Sequence, residues 1–147
     1  HLLSRRQRQM CIRDRGNIGR DPRDRMQMTV FPEGDQGKTA VTHYTVLERL
    51  GYVSLVECRL ETGRTHQIRV HMSALGYPLA GDQLYYPAFS DTKIKRQALH
   101  SHRLSFSHPV TGEMLTFTSP LPCDMAALID PEPSAHRGSS LPAVLRG

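Results

Sequence analysis

The segment from Leu60 to His71 constrains the fold most, because its pattern changes from that of a strand to that of a helix. Gly63 permits a turn with a positive φ, since a residue without a Cβ atom adopts that conformation at no steric cost. Thr65 follows as a good N-cap, because its hydroxyl can accept a hydrogen bond from a backbone N–H of the first helical turn. The segment therefore predicts a strand, a turn at Gly63 and a helix capped by Thr65.

The residues after this turn divide into two faces at helical spacing. The apolar face consists of Ile68, Met72 and Leu75. Arg64 lies at the mouth of the helix, and His66 and Arg69 share the other face because they are three residues apart. Two guanidinium groups beside a helix N-terminus suit a phosphate or a carboxylate. An ordinary amphipathic helix with solvated arginines explains the same spacing, so the pattern alone leaves both interpretations open.

Two paired strands are predicted before the turn. Residues 40–50 and 52–60 are rich in β-branched side chains and tyrosine, which favour strands. In the second strand, Val56, Cys58 and Leu60 are expected on one face, because side chains alternate along a strand. The opposite face is expected to be the more polar one, so that the strand is half-buried.

Proline and glycine mark the next boundaries. Residues 16–37 are rich in glycine, proline and charge, and they predict an extended surface connection. Gly76 is expected just beyond the end of the central helix. Gly81 and Asp82 then predict a turn.

A hairpin and a short helix are predicted towards the C-terminus. Residues 98–107 alternate as a strand should, and a turn over residues 109–112 leads into a second strand over 114–118. The last helix is expected over residues 124–129, with Asp124 as its cap.

The histidines and cysteines predict no metal site. His100 and His102 share a face of the predicted strand, but no third ligand lies beside them, so hydrogen-bonded histidines are favoured over metal ligands. Cys11, Cys58 and Cys123 include no CxxC pair, which argues against a disulfide framework and against a cysteine zinc site.

The positive charge is concentrated at one end of the chain. Of the 147 residues, the first 25 carry eight arginines and three aspartates, whereas the remainder carries eleven basic and eleven acidic residues. The net charge of +5 is therefore weak support for a polyanionic partner of the whole chain. No apolar run approaches the ~20 residues of a membrane span, and the first residues lack the apolar core of a secretory signal. A single cytoplasmic domain is expected.

Both ends are expected to lie outside this domain. Residues 1–15 have no hydrophobic period and resemble translated sequencing-adaptor DNA, so we expect a non-native arm; a disordered basic arm that contacts RNA is the alternative. Residues 131–147 are dominated by proline, serine and glycine, and they are expected to form a disordered tail. The folded unit is then residues 16–130.

The central segment carries a family resemblance. Residues 60–71, followed by 76–85, resemble the signature of RluA-type pseudouridine synthases. Residues 97–113 resemble the C-terminal strand and turn of the same family, and residues 18–25 with 40–44 resemble its large-ribosomal-subunit branch. The resemblance implies an α+β fold, part of the catalytic domain, with a mixed and mainly antiparallel sheet and flanking helices. It also implies conversion of uridine to pseudouridine in ribosomal RNA by a protein that is monomeric at full length. The resemblance implies neither a metal nor an organic cofactor.

The resemblance also implies which residues line the cleft. Arg69 takes the position of the basic residue that pairs with the catalytic aspartate, and Arg64, His66 and Gln67 line the same cleft. An adjacent guanidinium would keep such a carboxylate ionised. Further RNA contacts are predicted for a small basic loop, for which a solvated surface is the alternative. The basic side chains of this loop are Lys93, Lys95 and Arg96.

The essential aspartate itself has no counterpart in the 147 residues. The family carries it in a His-Arg-Leu-Asp motif, whereas His102-Arg103-Leu104 is followed by serine. We therefore expect an N-terminally truncated fragment that is inactive alone, in which an unpaired Arg69 attracts anions. A non-catalytic RNA-binding fragment and an anion-binding structural domain are the alternatives.

Overall fold

A computed structural model describes residues 10–12, 17–31, 36–51, 53–89, 93–129 and 143–146. Its strands are β1 (Met10–Ile12), β2 (Asn17–Arg20), β3 (Met28–Phe31), β4 (Thr42–Arg49), β5 (Ser54–Leu60), β6 (Leu99–His100), β7 (Arg103–Ser107), β8 (Met114–Thr118) and β9 (Ala143–Arg146). The helices are α1 (Gln67–Ala74) and α2 (Cys123–Ile129), with one turn of 3₁₀ helix at Pro87–Phe89.

The strands form one mixed sheet and two hairpins. The five-stranded sheet has the order β1-β4-β5-β9-β6, in which β4 is antiparallel to β1 and β5, and β9 is parallel to β5 and β6. The pairs β2–β3 and β7–β8 are antiparallel hairpins. The α+β class and the predicted strands before the turn are confirmed.

The two faces of β5 pack against different helices. Val56 and Cys58 belong to a buried cluster with Ile68 and Met72 of α1. On the other face, Leu55 belongs to a cluster with Met125 of α2. β5 is therefore buried on both sides at its start, because α2 covers the face that was expected to be polar.

Leu60 differs from the prediction in the opposite sense. It was expected on the buried face of β5, but it lies at the end of the strand and is 48% exposed.

Cys58 lies on the buried face of β5. Burial raises the pKa of its thiol to about 12, so this cysteine is a protonated packing residue at neutral pH.

The connection predicted over residues 16–37 contains a hairpin instead. β2 and β3 pair over four residues each. Pro22 does not prevent this pairing, because it lies in the loop between the strands; Pro32 lies outside the described residues. Proline is tolerated at such positions, where no ladder hydrogen bond is required of it.

Two strands of the large sheet come from segments that were expected to lie outside the fold. β1 belongs to residues 1–15, and β9 belongs to residues 131–147, where disorder was predicted. Strand edges offer unpaired N–H and C=O groups, so a short segment without strong periodicity can still complete a ladder. The remaining residues of both segments lie outside those described, and a non-native origin of residues 1–15 stays a prediction.

The predicted C-terminal hairpin is present, but its first strand is shorter. The strand expected over residues 98–107 divides into β6, in the large sheet, and β7, in the hairpin. His102 lies at the division and its carbonyl accepts the N–H of Ser119. The ring nitrogens of His100 and His102 lie 3.1 and 2.7 Å from the Ser119 carbonyl oxygen. The two histidines are therefore bonded to backbone, as favoured from the sequence.

Glycine ends α1 as predicted. Gly76 has a φ of 84° and its N–H bonds to the carbonyl of Ser73, while the N–H of Tyr77 bonds to the carbonyl of Met72. This pair of hydrogen bonds is the Schellman motif, which satisfies the last carbonyls of a helix.

A second glycine, Gly81, is required by close packing as well as by its backbone angle. Its φ is +73°, and a Cβ atom there would meet the carbonyl oxygens of Arg96 and Ile94. The neighbouring backbone cannot move aside without disturbing the Ala98 N–H bond to the Ala80 carbonyl, which is 2.8 Å long.

Gly81→Ala is expected to lower the free energy of unfolding by about 3 kcal/mol, because left-handed strain adds to overpacking. Gly112→Ala is the matched control, since Gly112 has a φ of +71° with no atom within 4 Å of an added Cβ. It should cost about 1 kcal/mol from backbone strain alone. Urea unfolding measures both values, and equal losses would contradict the packing argument.

Candidate functional site

The turn before α1 is organised by a glutamine side chain. Helix α1 begins at Gln67, and its N-cap is His66, which has a φ of 54° and makes no side-chain capping bond. The Gln67 Oε1 atom accepts the Arg64 N–H at 3.0 Å and the Thr62 hydroxyl at 2.7 Å. The prediction of Thr65 as the cap is wrong, because the helix begins at Gln67 and His66 occupies the N-cap position.

The same glutamine ties the turn to β4. Its Nε2 atom donates to the Val41 carbonyl at 3.0 Å and to the Thr42 hydroxyl at 2.9 Å. The Thr42 oxygen also lies 2.8 Å from Nδ1 of the buried His71. The positive φ expected at Gly63 is not found there. Gln67 was predicted to line the cleft, but its burial and its bonds give it a structural position.

A buried ion pair joins α1 to residues 79–86, which we call the connector. Arg69 donates from Nε to Oδ2 of Asp82 at 2.8 Å and from Nη2 to Oδ1 at 2.9 Å. The side chain of Asp82 is 1% exposed and that of Arg69 is 13% exposed. Asp82 Oδ1 also accepts the backbone N–H groups of Leu84 and Tyr85. The sequence predicted only a turn at Asp82.

This pair changes the predicted electrostatics of the site. Burial would raise the pKa of Asp82, but the hydrogen bonds from Arg69 and from the Tyr85 and Leu84 N–H groups hold it below its ordinary value. The bond to Asp82 raises the pKa of Arg69 despite burial. Arg69 is therefore neutralised within the chain, and the expectation of an unpaired, anion-attracting Arg69 is wrong.

Tyr85 brings Arg69 and His66 together, as their spacing predicted. The Arg69 Cζ atom lies 5.0 Å from the Tyr85 ring centroid, in cation–π contact. The Tyr85 hydroxyl oxygen lies 2.9 Å from Nδ1 of His66 and accepts the Met28 N–H at 2.9 Å. Burial and the nearby Arg69 charge lower the pKa of His66. His66 is therefore neutral at neutral pH, and Nδ1 can accept the hydroxyl proton.

The remaining predicted site residues form other bonds or are exposed. Arg64 donates from Nε to the Thr39 carbonyl at 3.0 Å. Arg96 forms a bidentate pair with Asp124, with both bonds 2.8 Å long, and also donates to backbone carbonyls. Lys93 and Lys95 are exposed, and their RNA contacts stay a prediction.

Asp124 is not the cap of the last helix. Helix α2 begins one residue earlier, at Cys123, and Asp124 lies in its first turn. The hydrogen bond from Arg96 lowers the pKa of the Asp124 carboxyl. The ion pair with Arg96 thus engages the side chain that was expected to cap the helix.

A cavity of about 650 Å³ lies beside the end of β5, away from Arg69 and Asp82. Its lining includes Leu60, Ile68, His102 and Leu104. Among the described residues, no three of His, Cys, Asp or Glu are grouped to hold a metal ion. Within those same parts of the chain, no helix has the length and apolarity needed to cross a membrane.

Asp82→Asn is expected to lower the free energy of unfolding by about 3 kcal/mol at neutral pH, because it leaves the Arg69 charge without its buried partner. The difference should shrink in acid. The folded pKa of Asp82 lies below its unfolded value of about 3.9, so its stabilisation is present above that pH and is lost as the pH falls through the folded pKa. Urea unfolding at several pH values measures the trend.

Asp124→Asn is the matched control for this experiment. It removes a second bidentate pair, but both side chains of that pair are 42% exposed. Solvent screens such a pair, so little stability should be lost. If the two variants were equally destabilised, burial would not be the source of the Arg69–Asp82 contribution.

Comparison with known proteins finds one family model and several similar proteins. Residues 10–74 match the family model described as RNA pseudouridylate synthase, beginning within the predicted arm. An uncharacterized RNA pseudouridine synthase of Bacillus subtilis is 57% identical over 113 residues, which are 77% of this chain and 36% of that protein. Ribosomal large subunit pseudouridine synthase D of Neisseria meningitidis serogroup A is 51% identical over 122 residues, covering 76% of this chain and 32% of that protein.

A third relative gives the same result. Ribosomal large subunit pseudouridine synthase D of Xanthomonas campestris is 48% identical over 124 residues, covering 76% of this chain and 37% of that protein. The chain spans about a third of the length of the curated relatives it matches. The identities run through most of the chain, and the matched family segment includes Arg64, His66 and Arg69. By its sequence, the chain is thus similar to RNA pseudouridylate synthases over residues 10–74 and to pseudouridine synthases over about three quarters of its length.

Proposed function

We propose that this chain carries, predicted over residues 16–130, the C-terminal part of the catalytic domain of a pseudouridine synthase acting on large-subunit ribosomal RNA. The match of residues 10–74 to the family carries the proposal, because it includes the whole turn from β5 into α1. Two of the relatives at about half identity are named for the large ribosomal subunit, which supports ribosomal RNA as the substrate. Action on ribosomal RNA would place the protein in the cytoplasm, and we expect a monomer at full length.

The chemistry needs a carboxylate that the described residues do not offer in a reactive state. Asp82 is nearest to Arg69, but it is buried and its two oxygens accept four hydrogen bonds. A nucleophile must have a lone pair directed at the substrate. Asp82 therefore serves to hold Arg69, and the nucleophile would come from the part of the full-length protein that carries the His-Arg-Leu-Asp motif.

Arg69 keeps the means to pair with that second carboxylate. A guanidinium has five N–H donors, and the bonds to Asp82 use two of them, on Nε and Nη2. Nη1 makes no hydrogen bond to the described residues and remains able to donate to a second carboxylate. A positive charge beside the nucleophile would lower its pKa and keep it ionised at neutral pH.

A second candidate is an RNA-binding fragment without catalysis. The absence of an Arg-Leu-Asp sequence anywhere in the 147 residues favours it for the chain taken alone. Exposed Lys93 and Lys95 would then contribute phosphate contacts. Both candidates require RNA binding, and they differ only in turnover.

The 147-residue chain is expected to form no pseudouridine in a ribosomal RNA transcript, because covalent catalysis needs the missing carboxylate. Release of tritium from uridine labelled at C5 measures turnover. A no-enzyme reaction is the control. Turnover that disappears when one aspartate of the chain is replaced would contradict truncation and identify the nucleophile here.

Arg69→Lys in the longer protein is expected to lower kcat about 10- to 100-fold while changing the Kd for RNA less than about twofold. Lysine keeps the charge, but its compact ammonium cannot span Asp82 and a second carboxylate. Arg69→Ala is the poorer test, since it would leave Asp82 buried without its ion partner. Single-turnover kinetics and filter binding measure the two effects. Equal losses in kcat and affinity would make Arg69 an RNA contact only.

A further inference from the structure

Three exposed arginines lie in the β2–β3 hairpin, which comes between β1 and β4 in the chain. They are Arg20, Arg23 and Arg25, and we call residues 20–27, which connect β2 to β3, the arginine loop. Sequence patterns assigned RNA contacts elsewhere, to Lys93, Lys95 and Arg96. Hydrogen bonds from Gln27 and Met28 bring the arginine loop beside Tyr85, which contacts His66 and Arg69.

The acidic residues of the loop do not neutralise its arginines by ion pairing. Asp21 Oδ1 accepts the backbone N–H of Arg23 at 2.8 Å, and Asp24 Oδ1 accepts the backbone N–H of Met26 at 2.9 Å. In the part of the chain that the structure describes, neither Arg23 nor Arg25 forms an ion pair. Their guanidinium groups are therefore available to a ligand.

The loop is also held in one conformation by its own bonds. Arg20 donates from Nη1 to the Arg25 carbonyl at 2.8 Å. The Asp21 N–H bonds to the Gln27 carbonyl, and the Gln27 N–H bonds to the Asp24 carbonyl, each at 3.0 Å. A ligand that binds such a loop does not have to order its backbone, so less conformational entropy is lost on binding.

Two hydrogen bonds attach the base of the loop to the cluster around Arg69. Gln27 donates from Nε2 to the Leu84 carbonyl at 3.2 Å, and the Met28 N–H donates to the Tyr85 hydroxyl at 2.9 Å. Asp21 is close enough to act electrostatically on Tyr85, whose ring lies under Arg69. The arginine loop therefore stands next to the place where the proposed reaction would occur.

We propose that the arginine loop binds the sugar-phosphate backbone of the RNA beside the target uridine, with Arg23 and Arg25 contacting phosphates. This rests on the proposed function. A planar guanidinium matches a phosphate with two parallel hydrogen bonds, and such contacts position a nucleic acid without reading its sequence. Arg64, Arg69 and Arg96 are less suited to this task, because their guanidinium groups are already bonded within the chain.

The double variant Arg23→Gln/Arg25→Gln tests the inference in the 147-residue chain. The probe is a fluorescein-labelled RNA stem-loop with a uridine in its loop, followed by anisotropy between about 50 and 200 mM salt. We expect the Kd to rise about tenfold at the lower salt and the slope of log Kd against log salt to fall by about 1.8, or 0.9 for each lost phosphate contact. Residues 1–15 are present in every variant, so their arginines cancel in the comparison.

The control Arg49→Gln/Arg103→Gln removes the same charge from two other exposed arginines, one on β4 and one on β7. It should change the Kd less than about twofold. Arg23→Lys/Arg25→Lys should keep the salt slope, because lysine also contacts phosphate. Thermal unfolding of each variant verifies that the fold is intact.

Equal weakening by the two glutamine variants would overturn the inference, since charge alone would then suffice. Absence of RNA binding by the unaltered chain at low salt would overturn it as well. The proposed function is decided separately, by pseudouridine formation in the longer protein. Loop-dependent RNA binding without pseudouridine formation would refute that function and leave the phosphate contact standing.

Discussion

The bidentate pair between Arg69 and Asp82 is the interaction on which the rest of the site depends. It links α1 to the connector that follows it, and the same connector carries Tyr85, whose hydroxyl accepts the Met28 N–H from β3. A carboxylate that is 1% exposed is tolerated only when it is paired and hydrogen-bonded. Once Asp82 is buried, its four hydrogen bonds hold the connector and Tyr85 against the helix. Helix, connector and hairpin are thus positioned by one ion pair.

The same pair determines which cations can act on a ligand. Arg69 has its charge balanced by Asp82, yet Nη1 keeps its donors, so it is suited to hold one further carboxylate and poorly suited to attract a diffuse polyanion. Arg96 was assigned to RNA by charge alone, but its guanidinium is bound to Asp124. The two ion pairs differ in burial. Solvent screens the exposed pair of Arg96 and Asp124, whereas it does not screen the buried Asp82. Chemistry at Arg69 and electrostatic attraction of RNA are consequently tasks for different residues.

Sequence patterns predicted the elements whose cause is local. β4, β5 and the apolar face of α1 follow from alternation and helical spacing, and Gly76 follows from the geometry of a helix end. The Asp82 pairing was missed because no periodic signal links it to a residue thirteen positions earlier. The position of β9 between β5 and β6 is likewise set by tertiary pairing, which no local pattern predicts. The cap was misplaced because α1 begins at Gln67, with His66 as its N-cap in the left-handed conformation, which is uncommon for a residue other than glycine. The resemblance predicted which residues line the cleft, and the structure shows which hydrogen bonds those residues make.

Formal charge misled the sequence interpretation for a physical reason. Counting charges along the chain put the basicity in the first 25 residues and treated it as a property of one end. The β2–β3 hairpin crosses that boundary. Its bonds from Gln27 and Met28 hold the loop that carries three of those arginines next to Tyr85. Asp21 and Asp24 cancel two of them in the count, but their carboxylates accept backbone N–H groups and form no ion pair with the arginines in the described part of the loop. Field strength at a ligand depends on where charges lie and how they are bonded. A loop with a formal charge of only +1 can therefore present two guanidinium groups to a phosphate backbone.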